Sequence, residues 1–458
     1  MAIHEFVGEG RNERTFHTVI SKWKKSLKTF FSGESHRQIL ISIFSLAASG
    51  LFATALRFVG SIIQGRFIGP ETLGYYTQFT ILPGYMFFLH LGVFTSFARQ
   101  YPYFIGKEDQ PTAFLYAGNA LGWTLVLIVV HAVVFAALSM VSAIRGDWNA
   151  ALGWGTQILV SFSTLYMFYL GTTYRNSGDF VQWSKATILS SVASLLLLPF
   201  VVFYQFLGLC LRYSAPEIIS SVYAHVKRPI KPAPLLNRSV LLKMMAFGAP
   251  LMVFTYTSTN LWTAVERTYI LQTMNARALG LFAYAGALAA TLVTVARSIS
   301  QVFHPRIAML YGSSGKNMKV SFRYCVKCTM AGTAMMLPLI LISLFVIKPV
   351  VAWVLPKYLD CVPVFRSLCW LALIPVIDLP KQLLIVAKKT WAFGVSVMAG
   401  FAFYSVILGF SLRTPGFMTM DRLAAFSVTG QMISVTISFL FAWHLARNEH
   451  HLKNYPRV

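Results

Sequence analysis

Apolar runs of about 20 residues recur along almost the whole chain, each long enough to cross a hydrocarbon layer of about 30 Å as a helix. The runs are continuous rather than alternating, which argues for helices and against a membrane β-barrel. They place twelve spans, at 39–63, 75–98, 112–142, 152–172, 186–203, 206–226, 244–271, 279–302, 324–347, 362–383, 391–411 and 423–445. With 56% hydrophobic and only 12% charged residues, the chain holds more apolar surface than a soluble core uses. The expected fold is all-α membrane, with about 12 transmembrane helices.

The net charge of +24 would suit nucleic acid, but the cations stand in short blocks between apolar runs and not on one soluble face. No nucleic-acid partner is expected, and topology explains the charge. With the first terminus in the cytoplasm, 25 of the 39 Lys and Arg fall in cytoplasmic segments, 7 in external ones and 7 within spans. By the positive-inside rule this orients a multi-pass protein of the bacterial inner membrane with both termini cytoplasmic. Residues 1–38 lack an early apolar core of the signal-peptide kind. Phe16, Val19, Ile20, Trp23, Leu27, Phe30 and Phe31 share one helical face there, with Lys22, Lys24, Lys25 and Lys28 opposite. That pattern suits an interfacial helix on anionic membrane lipids, with a mobile basic tail as the competing reading.

The Pro-rich, basic stretch VKRPIKPAPLLNRS places a cytoplasmic linker at 227–243. It divides an N-terminal bundle, 39–226, from a C-terminal one, 244–445, ahead of a cytoplasmic tail at 446–458. Across that divide Leu73, Gly74 and Tyr76 correspond to Leu279, Gly280 and Phe282, and Pro102 to Pro305. Six spans per half make such a repeat parallel, about an axis along the membrane normal, with a central cavity between two pseudo-symmetric bundles. Chance likeness of two apolar hairpins is the alternative.

Charged groups inside spans are costly and mark candidate sites, with structural ion pairs as the rival explanation. Arg57 lies on a polar stripe with Gly50, Thr54, Ser61 and Gln64 in the first span, and the seventh repeats the design with Tyr256, Asn260, Thr263 and Arg267, flanked by Thr259 and Glu266. Arg297 adds a third guanidinium in the eighth, beside Thr294 and Gln301, while Arg366 and Lys381 lie near the ends of the tenth, where they can snorkel. Guanidinium groups suit phosphate oxygens, so the expected substrate-binding residues are Arg57, Arg267 and Arg297, with Thr54, Gln64, Asn260 and Thr263 accommodating sugar. Glu217, Asp378 and Glu266 are candidates for a coupling proton or cation, or simply neutralise nearby cations. His90 reads as a hydrogen-bonding residue, and the five scattered cysteines, including Cys325 and Cys328, as helix-packing residues. No metal or cofactor is expected, and no nucleotide-binding or hydrolase motif occurs.

The hairpin RFIGPETLGYYTQF...LGVFTSFARQYP resembles the opening of bacterial polysaccharide and O-antigen lipid-linked oligosaccharide flippases. FGAPLMVFTYTSTNLWTAVERTYILQTMNARALGLFAYAGAL is similar to that family's seventh and eighth spans, through Gly248 and Pro250, Glu266 and Arg267, and Leu279, Gly280 and Phe282. WVLPKYLDCVPVFR is similar to its segment entering the tenth span. Two departures stand out: Glu266 replaces the family's Asp, and the sixth span is unusually polar. The resemblance implies a member of the multidrug, oligosaccharidyl-lipid and polysaccharide exporter superfamily, with two six-helix bundles forming a V around a cationic cavity. It also implies a flippase of polyprenyl-pyrophosphate-linked oligosaccharide for polysaccharide biosynthesis, working by alternating access beside polymerase or synthase subunits. Three alternatives compete. A cation or drug antiporter of the same fold calls for acidic cavity residues. A membrane enzyme calls for a sizeable external loop, and the longest here is about 14 residues by this span placement. A non-transporting scaffold of a polysaccharide synthase would use the basic N-terminal segment for docking.

Overall fold

The computed structural model describes the backbone of residues 34–314, 317–414 and 416–452, and within these the side chains of all but 34–48, 302, 305, 308 and 449–452. Residues 1–33 of the basic segment, the end of the tail and the side chain of Pro305 therefore lie outside the described residues.

The helices group into twelve successive spans. Span α1 is Glu34–Phe67. Span α2 is broken into Pro70–Gln78, Ile81–Met86, Phe87–His90 and Val93–Gly106. Next come α3 (Gln110–Ile144), α4 (Trp148–Ser177) and α5, which starts as Phe180–Leu196. The helix Leu198–Val226 is interrupted at Gln205 (φ 47°), where the chain turns from α5 into α6. In the second half α7 is Arg238–Thr273, α8 Ala276–Ser313, α9 Met318–Val354, α10 Pro356–Val386, α11 Thr390–Arg413 and α12 Met420–Leu452. Among the described residues eight helices are long and apolar enough to span a bilayer, and Ser49–Phe67 and Pro70–His90 qualify as a pair bent by 118°. That bend is the hairpin between α1 and α2. Span α4 carries Thr156, Gln157, Ser161 and Ser163 on its buried face, which lowers its hydropathy without exposing them to lipid.

The α5–α6 hairpin has clear pairings: Ser220 donates to the Ala186 carbonyl (2.9 Å), Ser190 to Glu217 (2.8 Å) and Arg212 to the Ser194 carbonyl (3.2 Å). These satisfy the polar residues of α6 inside the first bundle, which is how so polar a helix sits at membrane depth. Span α2 breaks because Leu91 and Gly92 both adopt left-handed backbone (φ 47° and 80°). There the Gly92 N–H donates to Nδ1 of His90 (3.1 Å), and Gly92 lies against the backbone of Gly248, where a Cβ would come within 2.3 Å.

Two faces follow from this order: a linker face, where residues 227–237 pass between the halves, and a far face, where α1 turns into α2 and α7 into α8. At the far face the matched glycines of the sequence repeat touch each other. A Cβ on Gly74 would lie 1.6 Å from the Ala276 carbonyl oxygen and 2.9 Å from the Gly280 nitrogen; one on Gly280 would lie 1.9 Å from the Pro70 oxygen and 2.8 Å from the Gly74 nitrogen. Residues equivalent under a two-fold meet only near its axis, and the contact of Gly74 with Gly280 fits the parallel repeat read from the sequence.

Candidate functional site

Each half carries a cavity walled by its predicted arginine. The C-terminal cavity, ≈ 530 Å³, lies between α7, α8, α10 and α12. Span α7 supplies most of its polar wall because a π-helical turn at Thr257–Leu261 re-aims the helix around Asn260, just before Thr263, Glu266 and Arg267. Arg297 of α8 and Gln431 of α12 complete it.

Glu266 is buried and accepts from the Tyr404 hydroxyl at 3.2 Å, and Tyr404 stacks on Trp262 (5.0 Å between centroids), whose Nε1 donates to Ser427 at 2.9 Å. Arg267 turns the other way: its Nη1 donates to Oγ1 of Thr80 on α2, at 2.8 Å, so this guanidinium bridges the two halves. Among the described residues Arg277 pairs with Glu71 and with Asp360, and Lys381 with Asp378. A local pair between Arg267 and a carboxylate is therefore absent among them, and none of the described arginines at membrane depth is neutralised in that way.

The N-terminal cavity, ≈ 440 Å³, is lined by Arg57, Arg175, Trp183, Thr187, Ser190 and Glu217 among others. Arg57 donates from Nε to Ser191 (3.1 Å), Arg175 from Nη2 to Thr172 (3.1 Å), and Glu217 accepts from Ser190. The predicted set therefore divides in two. Arg267, Arg297, Asn260, Thr263 and Glu266 converge on one cavity, and Arg57 and Glu217 share the other.

Three predicted residues are placed differently. Gln64 does not face a cavity: it is buried, and its carbonyl accepts from Arg212 Nη1 and from the Tyr213 hydroxyl (3.4 Å), because α6 packs a polar face against the outer end of α1. Thr54 bonds the Gly50 carbonyl of its own helix (2.7 Å) and lines neither cavity. Asp378 sits at the break in α10, where Nζ of Lys381 reaches it at 2.6 Å and Ser438 at 3.5 Å. Lys381 thus points inward to a partner, with Phe393 beneath it at 5.5 Å, instead of snorkelling.

Sequence reasoning missed Arg175, which falls just beyond the span placed at 152–172, and the α12 wall. Ser427, Gln431, Ser434 and Ser438 stand at steps of three and four, a polar stripe legible in the twelfth span.

Access to this region is closed on the far face. Besides the glycine contact, Tyr284 donates to the Ser61 carbonyl (3.1 Å), Tyr358 to the Ile68 carbonyl (3.2 Å), and Arg277 holds Glu71 of the first half and Asp360 of the second (2.9 and 3.3 Å). The hydrogen bonds and glycine contacts between α1 and α8 fall at 61–65 and 284, toward that face, while Arg297, further along α8, is exposed.

No family model matches the chain, and no curated protein does. Solved structures do. An inward-facing multidrug resistance MATE family transporter of the MOP superfamily aligns with a TM-score of 0.61 and 15% identity, over 90% of this chain and 100% of that one. An outward-facing structure of a multidrug resistance MATE family transporter aligns equally well, TM-score 0.61 and 15% identity, over 90% and 97%. A mutant of the Vibrio cholerae MATE transporter VcmN gives 0.59 and 14% over the same shares. The chain is a multi-pass membrane protein with the fold of the MATE transporters of the MOP superfamily, twelve helices in two bundles.

Proposed function

We propose that this chain flips an anionic, polyprenyl-pyrophosphate-linked oligosaccharide across the bacterial inner membrane by alternating access. The observation that carries the reading is that Arg267 and Arg297 share a cavity in which the one carboxylate, Glu266, is held by Tyr404. Guanidinium groups at membrane depth without a bonded counter-ion favour a ligand that brings its own negative charge, and a pyrophosphate supplies oxygens for charge-assisted, bidentate hydrogen bonds. Asn260, Thr263 and Gln431 offer hydroxyl and amide groups to the adjoining sugar. Arg57 and Arg175 give the opposite cavity the same excess of cations over Glu217, so both bundles receive an anion as they rock.

Under the positive-inside assignment the linker face and both termini are cytoplasmic and the far face is external. The closed far face and the exposed Arg297 then correspond to an inward-facing state, ready to load from the inner leaflet. Closure of α1 against α8 at the linker face and separation of Gly74 from Gly280 complete the exchange. Glu266, alone with cations in the C-terminal cavity, is the group placed to take up a coupling proton; Asp378 is committed to Lys381.

A cation or drug antiporter is the second reading, favoured by the multidrug transporters named among the structural matches. Its substrate would meet two arginines and one carboxylate in each cavity, an unfavourable field for a cation. The test is flipping of a fluorescent lipid-linked oligosaccharide by purified protein in liposomes. Transport of the glycan lipid, lost in Arg267→Glu and Arg297→Glu, supports the proposal. Organic-cation exchange with no glycan movement establishes the antiporter, and neither activity in folded protein leaves the scaffold of a synthase complex.

A further inference from the structure

The linker between the halves is a strap laid across α3. Its backbone is non-helical from Arg228 to Asn237, and Pro229, Pro232 and Pro234 keep it so. The strap is stitched to α3 at two points: the Leu235 N–H donates to the Gly118 carbonyl (3.0 Å) and the Asn237 N–H to Oδ1 of Asn119 (2.7 Å). Gly118 and Gly122 give it room: a Cβ on Gly122 would lie 2.0 Å from the Leu235 carbonyl oxygen, and one on Gly118 2.6 Å from that of Ala233.

Two apolar grooves flank the strap where it crosses α3, and Leu125 and Pro234 line both. One, ≈ 380 Å³, runs between Leu121, Phe162, Tyr166 and Val222 toward His225 and Arg228. The other, ≈ 530 Å³, follows Val126, Val129, Val130 and Leu236 along α3. Leu125, Val129, Val222 and Leu236 are exposed, so both grooves open on the lipid-facing surface. At the end of the first stands a cluster of cations. Arg228 reaches the Tyr166 hydroxyl (3.4 Å) and the His225 ring through Nη1, while its buried Nε has no hydrogen-bond partner. Lys227 and Lys231 flank it, and none of the three has a carboxylate partner among the described residues.

We propose that this surface is a binding site for one anionic glycerophospholipid of the linker-face leaflet, its phosphate on Arg228 and Lys231 and its two acyl chains in the grooves on either side of Pro234. Charge complementarity selects the occupant. A cationic cluster at the level where a helix leaves the bilayer attracts phosphate, and paired apolar grooves beneath it match a headgroup that carries two chains. A polyprenyl phosphate has one chain and would leave a groove empty. The bound lipid fastens the strap to the first bundle, so the linker moves with that bundle when the halves rock. This site is separate from the cavities at Arg267 and Arg57 and does not depend on what they transport.

The test is native mass spectrometry of the purified full-length protein with dioleoylphosphatidylglycerol, dioleoylphosphatidylcholine or undecaprenyl phosphate as the added lipid. Each Lys or Arg near the surface contributes about a fivefold preference for anionic lipid, so Arg228→Gln with Lys231→Gln should weaken phosphatidylglycerol binding about 30-fold. Leu125→Trp, which fills both grooves and leaves the cations in place, should weaken it as well. Phosphatidylglycerol retained equally by wild type and both variants overturns the proposal, as does equal retention of phosphatidylcholine. Preferential retention of undecaprenyl phosphate also overturns it and assigns the grooves to the polyprenyl chain.

Discussion

Replacing Gly74 by alanine should force the far face open. The new Cβ would stand 1.6 Å from the Ala276 carbonyl oxygen, a backbone atom with no rotamer to escape into, and bringing it to ordinary contact at 3.4 Å parts α2 from α8 by about 1.8 Å. Movement on that scale also breaks the bonds from Tyr284 to Ser61 and from Tyr358 to Ile68. Overpacking costs about 1–3 kcal/mol, and each lost hydrogen bond about 0.5–1.5 kcal/mol. A combined shift of roughly 2–6 kcal/mol lowers the closed-to-open ratio about 30- to 30,000-fold. Spin labels at Arg66→Cys and Gln272→Cys, both exposed near the far face, report the separation by pulsed electron resonance in nanodiscs, and the five native cysteines are buried and do not compete for label. Wild type should give one short distance and Gly74→Ala a longer one. Gly286→Ala on α8, where a Cβ meets nothing within 4 Å, is the matched control and should leave the distance unchanged. A folded Gly74→Ala protein with the wild-type distance distribution refutes the reasoning.

Arg277→Gln removes two exposed, solvent-screened ion pairs, so the same labels should show a modest gain in the open state at low salt that disappears in 1 M salt, where the Debye length is about 3 Å. Lys381→Met strands Asp378 and should destabilise the protein by about 3–5 kcal/mol in a thermal unfolding assay, whereas Asp378→Asn with Lys381→Met should recover most of that and still transport; loss of transport in the stable double variant would make Asp378 a coupling group after all. Glu266→Gln should keep glycan-lipid binding and lose acceleration by an imposed proton gradient in liposomes; a full response to the gradient would remove Glu266 from coupling.

Much of the architecture was legible because the bilayer enforces it. Continuous apolar runs marked the spans, and the matched Gly74 and Gly280 are in contact in the structure, an approach that only glycine permits. The stripe Asn260, Thr263 and Arg267 was readable for the same reason: polar groups in a span must face away from lipid. What escaped was set by packing between distant segments. The break in α2 at Leu91 and Gly92 lies inside an apolar run, and Gly92 there packs against the backbone of Gly248, more than 150 residues away, a contact that nothing in the local sequence announces. Gln64 shares a helix face with Arg57, yet Arg212 of α6 claims it, and nothing along α1 announces which polar residue a neighbouring helix takes. Lys381 and Asp378 stand three residues apart, a spacing that favours pairing, but both flank a helix break that the sequence left hidden within one span.

The most direct test of the central claim is equilibrium binding of a polyprenyl-pyrophosphate-linked oligosaccharide to the protein in nanodiscs, with Arg297→Gln and Arg267→Gln beside wild type. A guanidinium that meets pyrophosphate contributes about 1.5–3 kcal/mol, so each variant should bind about 10- to 100-fold more weakly. Unchanged affinity in both folded variants, or preference for an organic cation over the glycan lipid, would contradict it.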